Sequence, residues 1–169
     1  MNRTIILIAA LFCPFANAEG LRMSAGITRH AAQTLELAYA IKKWDIALGY
    51  ITSQTVDARI HTDTCKDPSL QPPCDHIVLP GKMDLSPYFY ASLQRIHEFR
   101  RDRAVRPFAG LGVAAYSDTN PLVSSPLGFS LSAGMNIGEH FGLQWRHFSN
   151  AGIQQPNIGQ DVLLASWRL

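Results

Sequence analysis

From Leu21 onward the chain alternates apolar and polar residues with a period of two, and it does so in eight separate segments. Successive residues of an extended strand point to opposite faces, so each segment predicts a β-strand with one apolar face. In the first, Leu21, Met23, Ala25 and Ile27 oppose Arg22, Ser24, Gly26 and Thr28. The second sets Leu35, Leu37, Tyr39 and Ile41 against Thr34, Glu36 and Lys42, and the third sets Trp44, Ile46, Leu48 and Tyr50 against Asp45 and Gly49. Leu85, Phe89, Ala91 and Leu93 then oppose Ser86, Tyr88, Tyr90, Ser92 and Gln94; Val105, Ala109, Leu111 and Val113 oppose Arg106, Gly110 and Gly112. Phe129 to Asn136, Phe141 to Arg146 and Val162 to Leu169 complete the set in the same manner.

Two architectures use such strands. A soluble sandwich or lipocalin-like barrel turns the apolar face inward, whereas an outer-membrane barrel turns it to lipid and keeps polar and small residues inside. Here the polar faces carry Arg22, Glu36, Asp45, Arg106, Gln144 and Arg146 among glycines and serines, which suits a narrow interior crossed by ion pairs. The connections after the second, fourth and sixth strands are short (KK, EFRRDR, GEH), and those after the third, fifth and seventh are mostly longer. Short periplasmic turns and longer outer loops accompany membrane barrels; the brief first outer loop, His30 to Gln33, is the exception. The expected fold is all-β, an eight-stranded antiparallel outer-membrane barrel with a polar interior, occupying residues 19–169 as one domain. Residues 54–82 are expected to form one long extracellular loop.

The N-terminal stretch MNRTIILIAALFCPFANA supports the same compartment. Arg3, the apolar run from Ile5 to Phe12, Pro14 and Ala16-Asn17-Ala18 read as a secretory signal peptide over residues 1–18, cleaved after Ala18. Its apolar run is well short of the roughly 20 residues of a membrane helix. Removal of Arg3 leaves 14 basic against 13 acidic residues, a balance that argues against nucleic acid as a partner. It also removes Cys13, so Cys65 and Cys74, in TCKDPSLQPPCD, are an even pair in an oxidising compartment and are read as a disulfide. Closing so short a loop is worth about 2–3 kcal/mol in the chain-entropy account. Free thiols, or a metal site with His61 and His76, are the rival readings, and neither has a recognisable ligand spacing. The other histidines, His30, His97 and His140, are expected at loops, turns or strand ends.

One segment departs from the packing pattern. In RHFSNAGIQQPNIGQD, Arg146 to Asp161, the outward parity of Phe141, Leu143 and Trp145 continues onto His147 and Ser149. The outward parity of Leu163, Ala165 and Trp167 extends back onto Asp161. Two apolar stripes thus end at the outer side in polar residues. Residues i and i+2 of a strand lie roughly 6.5–7 Å apart on one face. Opposed Cβ atoms on neighbouring strands lie about 4.5–5.5 Å apart. A serine nucleophile, a histidine base and a carboxylate to orient the histidine are therefore within reach of one another, as acyl transfer requires. Polar residues that merely meet lipid headgroups are the competing explanation.

The stretch HFSNAGIQQPNIGQD resembles the signature of the PagL-type lipid A 3-O-deacylases, outer-membrane esterases built on an eight-stranded barrel. The resemblance extends to the signal peptide, the strand number and the C-terminal place of the motif, though only the motif is specific. It implies that His147 is the base and Ser149 the nucleophile. The family's acid, usually a glutamate twelve residues after the serine, lands on Asp161, one methylene shorter. It further implies an oxyanion hole from the Gly152 backbone N–H and the Asn157 side chain. Glycine permits close backbone approach, an amide can meet developing negative charge, and Pro156 stiffens the loop before Asn157. Asn157-Ile158-Gly159 also fits simple turn chemistry.

The resulting expectation is an enzyme, a serine-dependent ester hydrolase of the outer membrane acting on lipid A or lipopolysaccharide, with no cofactor and no metal. Outer-membrane lipids surround it, and monomer and homodimer both stay open. Two other readings compete: a non-enzymatic barrel of adhesion or membrane-integrity type that binds through its long loop, and an outer-membrane phospholipase.

Overall fold

Each alternating segment forms a strand, and the strands close on one another. A computed structural model describes residues 20–56, 61–63, 76–78, 82–99, 103–153 and 158–169. The strands of the barrel are β1 (Leu21–Thr28), β2 (Gln33–Ile41), β3 (Trp44–Ile51), β8 (Tyr88–Glu98), β9 (Val105–Tyr116), β10 (Leu127–Ile137), β11 (Phe141–Ser149) and β12 (Gln160–Arg168). Four short strands lie between β3 and β8: β4 (Gln54–Val56), β5 (His61–Asp63), β6 (His76–Val78) and β7 (Met83–Leu85). The barrel order is β1-β12-β11-β10-β9-β8-β3-β2, antiparallel throughout. Closure comes from β1 on β12, with Met23 opposite Trp167 and Ala25 opposite Ala165. The barrel is therefore without a free edge, the condition under which strands can cross a bilayer.

The outward face is apolar over its whole circumference: Ile27, Leu35, Leu48, Phe89, Leu111, Val113, Leu131, Leu163 and Trp167 are all exposed. The inward face is the polar one, as the alternation predicts. Arg146 is 0% exposed, and Glu36, Asp45, Ser92, Gln94 and Gln144 are buried with it. Arg146 is paired with Glu36 and lies 3.7 Å from Asp45, while Arg22 reaches Asp45 at 2.8 Å and Glu36 at 3.6 Å. The Tyr90 hydroxyl donates to the same Glu36 carboxylate at 2.7 Å. Gly49 makes room for this, because a Cβ there would overlap the Tyr90 ring. Arg106, expected in the network, stands at the end with the short turns, where it donates to the Gly138 carbonyl at 2.9 Å.

Toward the other end the interior changes character. Tyr88, Tyr90, Tyr116 and Phe148 form an aromatic plug with Ile51, Val123, Val162 and Leu164. Tyr90 and Phe148 have ring centroids 4.8 Å apart, and Tyr116 meets Phe148 edge-on at 5.9 Å. The ion network thus fills the middle of the barrel and an apolar core closes its outer end.

Three assignments change. The 54–82 connection, expected as one long loop, contains strands among its described residues: β4 pairs with β7 and β5 with β6 as two short antiparallel ribbons. Leu85, expected on the lipid face, belongs to β7 rather than β8. It is 5% exposed and packs with Val56 and Leu122, because the ribbon folds over the barrel mouth. Leu21, also expected on the lipid face, is 5% exposed as well. The expected signal segment 1–18 and Cys65 and Cys74 lie outside the described residues.

Glu36→Ala leaves the buried Arg146 guanidinium without its nearest carboxylate. Removing one partner of a buried pair costs roughly 3–5 kcal/mol. A correspondingly lower denaturant midpoint for unfolding in detergent micelles is expected.

Candidate active site

The site lies on β11, β12 and the turn that joins them, at the end opposite the short turns. Local sequence explains why these strands hold their side chains so firmly. In β11, Gln144, Arg146 and Phe148 point inward and are buried, which forces Phe141, Leu143, Trp145, His147 and Ser149 outward. In β12, Gln160, Val162 and Leu164 are buried, which leaves Asp161, Leu163 and Ala165 outward. Phe148, seated in the aromatic plug between His147 and Ser149, ties the register of the site to the core.

That register sets His147 directly opposite Asp161. His147 Nδ1 lies 2.9 Å from Asp161 Oδ1, with each side chain about one third exposed (32% and 30%). A carboxylate can only accept, so Nδ1 carries the hydrogen and Nε2 presents its lone pair when the ring is neutral. The shorter aspartate reaches the ring because the two residues are directly paired. Trp145 stacks beside the imidazole, with centroids 5.9 Å apart and planes 22° from parallel.

Ser149 ends β11 opposite Phe129 on β10 and shares the outward face of His147. Its Oγ accepts the Ala151 N–H at 3.0 Å. Ala151 and Gly152 both have positive φ, 56° and 78°, so the chain reverses sharply just past the serine. The Gly152 N–H donates to Asn150 Oδ1 at 2.9 Å. Asn150 must yield or share that bond for Gly152 to serve an oxyanion. Asn157 lies outside the described residues, as do 154–156.

Several supporting groups escape sequence reasoning because they come from distant loops. Asn150 is buried and donates through Nδ2 to Ser124 Oγ at 2.8 Å. The Ile158 and Gly159 N–H groups donate to the carbonyls of Pro121 and Leu122 at 3.2 and 3.1 Å. Both flanks of the β11–β12 connection are thus anchored on the β9–β10 loop, which is itself held by Asn120 Oδ1 accepting from Leu122 and Val123. The Asp161 carbonyl accepts from Arg29 N–H at 3.0 Å and from Gln160 Nε2 at 3.2 Å. Gln160, fully buried, is held in turn by Gln54 at 2.8 Å, and Gln54 by Thr28 at 3.0 Å. The one available signal was polarity at inward positions next to the motif.

A family model described as Lipid A 3-O-deacylase (PagL) matches residues 87–169, the segment that contains every residue of this site. Over those residues the chain is similar to the PagL family. A lipid A deacylase PagL of Pseudomonas aeruginosa is 40% identical over 73 residues, covering 38% of this chain and 42% of the relative. One of Bordetella bronchiseptica is 36% identical over 63 residues, covering 32% and 35%. The chain thus spans less than half the length of either PagL relative in these matches. A crystal structure of the outer membrane enzyme PagL superposes with a TM-score of 0.52 at 20% identity, over 88% of this chain and 97% of that one. At that identity the likeness to PagL concerns the fold, and it agrees with the barrel described above.

Asp161→Asn offers His147 an amide that can donate as well as accept, which favours the tautomer with the hydrogen on Nε2. In a serine protease the equivalent change lowers kcat by about 10⁴. A fall of about 10²–10⁴ in turnover, with the barrel's unfolding midpoint nearly unchanged, is expected here.

Proposed function

We propose that this protein is an integral outer-membrane esterase that hydrolyses the ester-linked 3-hydroxyacyl chain of lipid A through Ser149, His147 and Asp161. The observation that carries the proposal is the 2.9 Å contact of His147 Nδ1 with Asp161 on the outward, lipid-facing surface, with Ser149 on the same face. A catalytic group pointing away from the barrel axis suits a substrate that is itself part of the membrane. The match of residues 87–169 to the PagL family model supports the substrate class.

His147 Nε2 takes the proton of Ser149 as Oγ attacks the ester carbonyl. The Ala151 N–H, already at Oγ, favours charge on that oxygen. The Gly152 N–H and the Asn157 amide receive the oxyanion. When the tetrahedral intermediate collapses, the ester C–O bond breaks and His147 returns its proton to the departing sugar oxygen. Water, deprotonated by the same imidazole, then cleaves the acyl-enzyme and releases the 3-hydroxy fatty acid. That step needs water, which suits a site at the rim of the apolar belt rather than at its middle. Export through cleavage of residues 1–18 and pairing of Cys65 with Cys74 belong to the same reading. All the groups used come from one chain, so the chemistry makes no demand for a homodimer.

Mass spectrometry of lipid A from cells expressing the protein should show loss of one 3-hydroxyacyl chain. Ser149→Ala and His147→Ala should each abolish it while leaving the heat-modifiable mobility of the folded barrel intact. Unaltered lipid A beside well-folded protein would sink the proposal, and loss of phospholipid acyl chains instead would favour the phospholipase reading.

A further inference from the structure

Gly159 directly precedes β12, at the position where the β11–β12 register continues opposite Ser149, and two independent demands meet there. Its φ is +79°, in the left-handed region, and its N–H is held by the Leu122 carbonyl at 3.1 Å. A Cβ added to it would stand 2.5 Å from His147 Cε1, 3.0 Å from His147 Nε2 and 3.2 Å from the Phe148 carbonyl oxygen. The first distance is one that real Cβ atoms do not tolerate, so the ring would have to move. The imidazole is thus bracketed by Asp161 at Nδ1, the Trp145 ring beside its face, and the bare α-carbon of Gly159 along its Cε1–Nε2 edge.

We infer that Gly159 is a positioning residue for catalysis, the seat on which the His147 imidazole rests with Nε2 aimed at the reacting serine. The inference rests on the proposed roles of His147 and Ser149. Backbone conformation alone would admit asparagine, which tolerates left-handed φ. The missing side chain is the separate requirement, and only glycine meets both. Nε2 is the atom that must exchange a proton with Ser149, and a displacement of about 1 Å in a catalytic group costs on the order of 100-fold in rate.

The test uses purified full-length protein in detergent micelles with lipid A as substrate. Gly159→Ala and Gly159→Asn should both lose on the order of 100-fold in kcat with KM little changed, and Asn should fold better than Ala without recovering activity. Gly138→Ala is the control: Gly138 also has positive φ, +63°, but open space around it. It should keep wild-type kcat. In the unmodified protein, an NMR cross-relaxation contact between Gly159 Hα and His147 Hε1 is expected, and this arm does not depend on any variant folding. Wild-type kcat in folded Gly159→Ala or Gly159→Asn, a loss confined to KM, an equal loss in Gly138→Ala, or absence of that contact would each overturn the inference. Ser149→Ala, run in parallel, tests the other layer: activity that survives it removes the catalytic reading itself, whatever Gly159 does.

Discussion

Lipid offers no hydrogen-bond partners, so a chain that crosses it in strands must satisfy every backbone group within itself. The rest of this molecule follows from that constraint. Eight strands meet the demand by closing β1 onto β12. Closure divides the side chains into two populations that cannot mix, because the strand period is two and a slip of one residue would expose the whole inner set. The outer population is apolar to match lipid. The inner one must fill a cylinder too narrow for bulk water, and it does so with charges that satisfy one another, Arg22, Glu36, Asp45 and Arg146, and with an aromatic plug above them.

The same division makes the site conspicuous. Polar groups at outward positions gain nothing from the ion network, yet His147 and Asp161 occupy paired outward positions and hold each other at 2.9 Å. Phe148, locked into the plug, fixes the two residues that flank it in sequence. Core and outer surface are therefore mechanically one unit: the packing that seals this end of the barrel also holds His147 and Ser149 on the outward face. The β9–β10 loop completes the support, since it grips Asn150 on one side of the connection and Ile158 and Gly159 on the other.

Most of the barrel was legible from alternation because alternation is local and a lipid boundary enforces it strictly. The exceptions are instructive. Leu85 fits the outward parity of the following strand, but a break at residues 86–87 assigns it to a separate ribbon that packs inward on Val56 and Leu122. Parity cannot report such a break, since it counts residues and not directions. The interior was expected to be polar, and its middle is; the aromatic plug was hidden because Tyr88 and Tyr90 read as polar-face residues while Phe148 lies between two catalytic candidates.

By itself the sequence determined the eight barrel strands, the face of most of their residues, the outward parity of His147, Ser149 and Asp161, and the nearness of the first two, because all of these depend only on separations along a strand. Tertiary structure decided what depends on pairing between strands and on contacts from distant loops. It set His147 opposite Asp161, so that the shorter acid reaches the imidazole. It also brought residues 120–124, Arg29 and Gln160 to support the connection and the acid, and it pressed the imidazole against Gly159. A glycine's role is defined by what occupies the space it leaves empty, and only the folded chain fills that space.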